Sequence, residues 1–465
     1  MKQVKYILFF LLFAGIWNGC VEDSADNPPF GEKDVPHIYV TWQTNMAYKL
    51  GQTMTFVPMV SPSDGAAYRW TLNGEEISTE KDLSYPLNDF LFNAELKFEV
   101  TRNGVSNSRT ASVLVTKDFV PKQSSRKLFG FLTKNGTLDD VDWESITHLV
   151  VSSVVVKEDG TLDLSMMQTL DIPTLMAFAH HYGVYVILEV SGVINYLNSG
   201  SLYGSLTFYN PAVNNPQALT ENIAKLVTDY DFDGVNIYMD ESIAENYDNP
   251  AALKEFYEST ADKIKSSKNT IDGTEYDYLM SLSVVGGWTR GALGGVVNLP
   301  QYDYVFVLAF LNENLSPVSH GSVQYAADEI RAWLTWTGLQ VADPSRLILV
   351  APAAGIRYFD IPAEFTWANL EQHIEYISYR DICGAYADAP AKIPAVIVLK
   401  ENNNDLKKEV DKIYYNGLRD MERRINEVII PNNLGGIGLW SLENDEKNPE
   451  KSLLKKLKTT LDASE

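Results

Sequence analysis

Cysteine is nearly missing from this chain of 465 residues, which carries only Cys20 and Cys383. That excludes a disulfide framework and a thiolate metal site. Histidine is scarce as well, at six residues, and no His pair or carboxylate cluster has metal-ligand spacing. No metal and no cofactor is expected. Positive charge is the third shortage: 38 Lys and Arg stand against 61 Asp and Glu, a net charge of −23. Nucleic acid and anionic lipid both need a basic surface, so neither is expected as the main partner. The N-terminal apolar run, Tyr6–Ala14, is roughly ten residues, about half of what a bilayer core requires.

What the chain has in quantity is apolar and aromatic mass. With 45% hydrophobic residues, 25 Tyr, 19 Phe and 9 Trp, it can bury a large core and is not a disordered protein. Its length allows two or three domains. An acidic, aromatic-rich protein is compatible with neutral glycans as ligands.

Residues 1–19 read as a secretion signal: Lys2 and Lys5, the apolar run, then small residues before Cys20. Trp17-Asn18-Gly19-Cys20 resembles a bacterial lipobox, with Trp17 where Leu is usual. The resemblance implies a lipidated Cys20; an ordinary secreted protein with a chance cysteine is the alternative. The acidic Val21–Asp26 that follows resembles the tether of Bacteroidetes-type surface lipoproteins, implying a lipid-anchored chain exposed on the outer membrane. Residues 20–36 are polar, with Pro and Gly, and predict a flexible spacer.

From His37 to Lys117 short alternating runs such as AYRWTLNGEEI and ELKFEVTRNG are separated by Asp64-Gly65, Asn73-Gly74 and Asn103-Gly104. That pattern predicts a small immunoglobulin-like or PKD-like β-sandwich with Trp70 between its sheets. Residues 118–126 read as a linker. From Lys127 onwards apolar strand patterns alternate with helical ones, the signal of an α/β fold with a parallel (β/α)8 barrel. Eight strands can be counted, starting at Lys127, Ile146, Tyr185, Gly234, Tyr278, Tyr302, Arg346 and Gly435. Asn215-Pro216 and Asn249-Pro250 have the form of helix starts. Leu453, Leu454, Leu457 and Leu461 predict a closing amphipathic helix. The long stretch Tyr358–Asn404 predicts an insertion between strands seven and eight, and His180-His181 are read as capping the helix before strand three.

The fourth strand carries the chemistry. In YDFDGVNIYMDE, Tyr230 to Glu241, period-2 reading puts Val235, Ile237 and Met239 on one face and Asn236, Tyr238 and Asp240 on the other. The stretch resembles the D-G-x-D-x-D-x-E signature of glycoside hydrolase family 18, the chitinases and endo-β-N-acetylglucosaminidases. Asp233 and Gly234 match it; Asn236, Tyr238 and Asp240 depart from it. Other similarities follow in order along the last 340 or so residues: Phe129-Gly130-Phe131, Glu189-Val190-Ser191-Gly192 where S-x-G-G is usual (so that Glu189 stands in the serine place), Ala351-Pro352-Ala353-Ala354-Gly355 and Leu439-Trp440-Ser441. The sixth strand departs, with Leu308-Ala309-Phe310-Leu311 where M-x-Y-D is usual. The lipoprotein context brings the chain nearer the endo-β-N-acetylglucosaminidase branch than the large chitinases.

In that family the last Glu of the motif protonates the glycosidic oxygen while the substrate's own N-acetyl group attacks. An Asp two residues earlier stabilises the positive charge, and a strand-six Tyr bonds the same group. The resemblance puts Asp240, Tyr238 and Phe310 at those three places. An Asp carboxyl sits roughly 1.5 Å short of a Glu carboxyl, and a misplacement of about 1 Å can cost on the order of 10²-fold. Losing the stabilising carboxylate removes an electrostatic contribution of several kcal/mol.

Trp440 falls where the family's sugar-stacking floor stands, against the alternative of a barrel plug. Glu189 is the candidate substitute carboxylate, against the alternative of a buried carboxylate bonded to Tyr238 or the backbone. Glu443 and Asp445 are candidates for the mouth or for surface charge, and Trp288, Tyr196, Tyr203 and Tyr209 for an extended platform. The first expectation is a glycan-binding surface lipoprotein with a disabled site built from Asn236, Tyr238, Phe310 and Trp440. It would hold N-acetylglucosamine-containing glycans for neighbouring hydrolases and an outer-membrane transporter. The second is an active hydrolase using Asp240 or Glu189 as acid. The third is a structural lipoprotein that binds nothing.

Overall fold

The computed structural model describes residues 35–40, 42–192, 206–239, 249–285, 293, 295–310, 320–336, 340–359, 373–400 and 411–464. The chain divides into two compact units, one ending at Thr116 and one beginning at Lys117.

The first unit is all β. A five-stranded sheet runs in the order Asn45–Lys49, Val105–Thr116, Leu91–Arg102, Ala67–Leu72, Glu75–Ser78. Two strand pairs, His37–Tyr39 with Met59–Ser61 and Thr53–Phe56 with Leu83–Pro86, accompany it. Asn103 (φ 47°) and Gly104 (φ 82°) both lie in the left-handed region, the backbone that a two-residue hairpin loop needs to match strand twist. Trp70 is buried and stacks on Phe98 at 4.3 Å. Its indole N–H donates to the Glu80 carbonyl at 3.1 Å, so the polar end of this core residue is satisfied.

The second unit is a closed barrel of β1 (Lys127–Thr133), β2 (His148–Val156), β3 (Tyr185–Ser191), β4 (Gly234–Tyr238), β5 (Leu279–Val284), β6 (Tyr304–Leu308), β7 (Leu347–Pro352) and β8 (Gly436–Trp440). Neighbours are parallel, and β1 pairs with both β2 and β8 to close the ring. Strand alternation sorts the side chains. Leu128, Leu149, Leu188, Val235 and Leu282 belong to the core beneath the helices, while Phe129, Phe131, Ile187, Phe306 and Val350 form a separate cluster inside the barrel. Gly234 is required where β4 meets β5, since a Cβ there would stand 2.2 Å from the Leu279 carbonyl oxygen.

Helices Pro216–Asp229 and Pro250–Lys265 begin at the expected prolines. Asn249 caps the second through Ala252 N at 3.1 Å, whereas Asn215 makes no side-chain cap bond. The last helix, Leu453–Asp462, buries its four leucines, each contributing roughly 1.5–3 kcal/mol.

Three features differ from the sequence reading. Residues 118–126 are not a free linker. Phe119 is buried against His180, Tyr185 and Tyr276 with centroids 4.8–5.3 Å apart, and Lys122 Nζ donates to the carbonyls of Trp143, Glu144 and Ile146. His180 and His181 do not act as caps. His180 Nε2 contacts both Asp233 oxygens at 3.1 Å, and His181 Nδ1 accepts from Lys117 N at 3.0 Å. The insertion after β7 begins earlier, at Ala354. It is an antiparallel sheet ordered Ile374–Ser378, Ala354–Tyr358, Asp411–Tyr414, Val396–Lys400.

Candidate functional site

Asp233 and Gly234, the two motif positions that match, stand at the lower end of the barrel. Asp233 is buried and accepts from Val186 N at 2.7 Å, Asn269 Nδ2 at 2.9 Å and His180. Burial pushes its pKa up against these bonds. This carboxylate ties β3, β4, the helix Ile172–His181 and the hairpin Lys268–Asp277 together, a structural task.

Further up, the barrel interior separates by polarity. Strands β2 to β5 contribute Ser152, Glu189, Ser191, Asn236, Ser281 and Ser283, all buried. Strands β1, β6, β7 and β8 contribute mainly apolar residues, Phe129, Phe131, Phe306, Leu308, Ile348, Val350 and Trp440, and Val150, Ile187 and Tyr238 of β2 to β4 join the same cluster. The division follows from which residue types occupy the inward places of each strand.

Glu189 is the centre of the polar half. Ser152 Oγ donates to its Oε1 at 2.6 Å and Asn236 Nδ2 to its Oε2 at 2.8 Å. The same amide donates to Ser283 Oγ at 2.8 Å. The side chain has no exposed surface, and burial, partly offset by these bonds, raises its pKa to about 7. The partners are thus Ser152 and Asn236, where Tyr238 or backbone was expected. Sequence reasoning missed the serines, although Ser281 and Ser283 show themselves in LMSLSV as alternate polar residues of a strand.

The aromatic half ends at the mouth. Trp440 is partly exposed, with its ring 4.9 Å from Phe131 and 6.3 Å from Phe310. Phe310 also meets the His320 ring at 6.1 Å, and His320 meets Tyr376 at 5.9 Å. Tyr238 is buried and belongs to the same inner cluster as Phe310, so where the family signature has a carboxylate this barrel has an enclosed ring.

Among the other candidates, Tyr209 is buried with its hydroxyl accepting from Asn249 N at 3.0 Å, which makes it helix packing. Asp445 caps the last helix, accepting from Leu453 N at 2.9 Å and Leu454 N at 3.0 Å. Glu443 is held by the Thr133 hydroxyl at the top of β1. Cys20, Tyr196, Tyr203, Asp240, Glu241, Trp288 and Leu311 lie outside the described residues. Among the described residues, no group of three or more His, Cys, Asp or Glu is placed to hold a metal ion.

Residues 123–445 match the profile of glycosyl hydrolases family 18, and residues 36–100 match that of a PKD-like domain. No curated protein matches the chain. Among solved structures it is similar to a chitinase from Bacteroides thetaiotaomicron, with 19% identity, a TM-score of 0.51 and coverage of 73% of this chain and 97% of that one. It is also similar to the class V chitinase of Nicotiana tobaccum in complex with NAG4 (14%, 0.53, 72% and 99%). A third is human YKL-39, described as a pseudo-chitinase with retained chitooligosaccharide binding (16%, 0.50, 72% and 100%). At these identities the shared property is the fold.

Proposed function

The chain belongs to the glycosyl hydrolases of family 18, and from that premise we propose that it binds an N-acetylglucosamine-containing glycan at the barrel mouth without hydrolysing it by the family's ordinary route. The observation that carries this reading is the pairing of Trp440 with Tyr238. The sugar-facing indole is kept, partly exposed and backed by Phe131 and Phe310. The carboxylate that would stabilise an oxazolinium ion is replaced by a buried phenol ring. A platform without its charge-stabilising group supports ground-state binding and not transition-state stabilisation. Asp240 in place of the acidic Glu, and Phe310 in place of the hydrogen-bonding Tyr, act in the same direction.

One observation favours a second reading, an active hydrolase. A carboxyl with a pKa of about 7 is suited to general acid catalysis at neutral pH. Against it, Glu189 has both oxygens engaged and no exposed surface. The proposal extends to location. A signal at residues 1–19, a lipidated Cys20 and the acidic spacer would hold the chain on the outer-membrane surface beside a transporter and hydrolases. Among the described residues no helix is long and apolar enough to cross a membrane.

The deciding experiment is calorimetric titration with chitooligosaccharides and a high-mannose N-glycopeptide, with mass spectrometry of the same mixtures. Binding of intact glycan supports the proposal. Cleavage that survives in Asp240→Ala and disappears in Glu189→Gln establishes the second reading. Incorporation of labelled fatty acid that is lost in Cys20→Ala tests the anchor.

A further inference from the structure

A cavity of about 360 Å³ lies between the start of helix Val323–Thr335, the insertion sheet and the segment Tyr414–Arg423, with His320, whose ring meets Phe310, in its lining. Neither Trp440 nor any member of the inner aromatic cluster lines it. We propose that this cavity is a second ligand site, for the acidic unit of a glycan: a sugar ring that carries a carboxylate or a sulfate.

Three features of the cavity point the same way. Its lining gathers Lys392, Arg419 and Arg423 on a chain whose net charge is −23, so an anion repelled by most of the surface meets a local concentration of cations here. Behind that lining the buried Arg424 guanidinium is held by Asn416 Oδ1 at 2.9 Å and by the carbonyl of Gly321. Ser322, the N-cap of the 13-residue helix Val323–Thr335, also faces the cavity, adding the positive end of a helix dipole.

Local acids engage part of this set, Asp420 lines the cavity itself, and Arg419 is the lining cation left without an ion pair among the described residues. Glu427 engages Arg423 at 2.8 Å and Asp388 stands 3.4 Å from Lys392. Asp420 accepts from Gly417 N at 3.0 Å as a helix cap. Arg419 is exposed. Its planar fork suits bidentate capture of a carboxylate or sulfate.

Part of the wall is apolar and aromatic: Ile393, which is 62% exposed, with Val396 and Tyr414. An inorganic ion would leave that wall uncovered, whereas a sugar ring lays its C–H face on it while the acidic substituent reaches Arg419. The volume falls in the range of small-molecule sites. This inference does not depend on the barrel-mouth reading.

The full chain is titrated with N-acetylneuraminic acid, glucuronic acid, N-acetylglucosamine 6-sulfate and neutral N-acetylglucosamine, at low and high salt. At least one acidic sugar binds, its affinity falls with salt, and Arg419→Ala weakens it by roughly 10-fold or more. Arg419→Lys retains part of the affinity and Trp440→Ala leaves it unchanged. The carboxylated and sulfated probes distinguish which acid the site prefers, and either preference supports the proposal. Because Arg419 is exposed, circular dichroism of Arg419→Ala should match that of the parent chain. The proposal is overturned if no acidic sugar binds, if affinity is the same in Arg419→Ala, or if it is lost in Trp440→Ala instead. The last result would place the acidic sugar at the barrel mouth, and chitooligosaccharide titration of Arg419→Ala tells failure of one site from failure of the other.

Discussion

Asn236 donates its amide to Glu189 at 2.8 Å inside the barrel, and neither side chain has exposed surface. The two are direct neighbours across β3 and β4. One is the residue that departs from the family's second aspartate, and the other is a carboxylate where the family carries serine. A buried carboxylate beside a second carboxylate at position 236 would suffer like-charge repulsion; an amide in that place donates a hydrogen bond instead. The two departures are therefore chemically compatible as a pair, and the contact between them is an internal polar brace.

That brace has a pH signature. The folded pKa of Glu189, about 7, lies above its ordinary 4.5 because burial disfavours the charged form. Between those values the folded state holds a proton that the unfolded chain has released. The contribution of this group is therefore fully favourable below about 4.5 and declines until pH 7, by about 3 kcal/mol in all. Glu189→Gln removes the titration. Urea unfolding should show it close to the parent chain at pH 5 and more stable at pH 8. Parallel curves at both pH values would mean that Glu189 stays ionised in the folded protein.

Asp233 offers the converse case, a residue that matches the family motif and yet does structural work. Replacing it with Ala leaves the Val186 N–H and the Asn269 amide without their buried acceptor. The expected loss is about 3 kcal/mol or more. Thermal unfolding should register that loss while glycan affinity, measured below the transition, stays within twofold of the parent chain by calorimetry (about 0.4 kcal/mol). A fall in affinity with unchanged stability would put Asp233 in the binding site.

Most of the barrel is legible in the sequence because its strands obey a simple rule: inward residues alternate with outward ones. Phe129 and Phe131 point inward and Leu128 and Leu132 outward in the run KLFGFLT. The hairpin at Asn103-Gly104 is legible for a similar reason, since few residue pairs accept two positive φ angles. What stayed hidden depends on register between distant segments. Nothing in the sequence says that Ser152 meets Glu189, 37 positions away, or that Lys122 finds three carbonyls at the end of the barrel. The insertion sheet was partly concealed because its strand Ala354–Tyr358 follows β7 after a single residue, so the two read as one apolar run.

Trp440 should dominate affinity at the mouth. Truncating an aromatic anchor typically costs ~2 kcal/mol or more, about 30-fold in Kd. Trp440→Ala is expected to weaken chitooligosaccharide binding by that order, whereas Trp440→Phe retains most of the stacking surface. Near-UV circular dichroism would show that the neighbouring Phe131 and Phe310 remain packed. Equal affinities in all three proteins would move the ligand away from this ring and sink the mouth as the binding site.

Restoring the family's residues tests whether the chemistry was lost at the places named. Asp240→Glu alone should stay inactive, because a general acid at the right reach still lacks the group that stabilises the oxazolinium charge. Tyr238→Asp alone restores that group without the acid, and it also opens space inside the cluster that Tyr238 now fills. Since groups that act together show non-additive effects, the combined Tyr238→Asp, Asp240→Glu and Phe310→Tyr chain is the informative one. It should release N-acetylglucosamine oligomers from a chitooligosaccharide at a rate on the order of 10²-fold or more above any single variant. Mass spectrometry would detect the products, and a folded triple variant that binds and never cleaves would show that the barrel differs from its catalytic relatives in more than these three side chains.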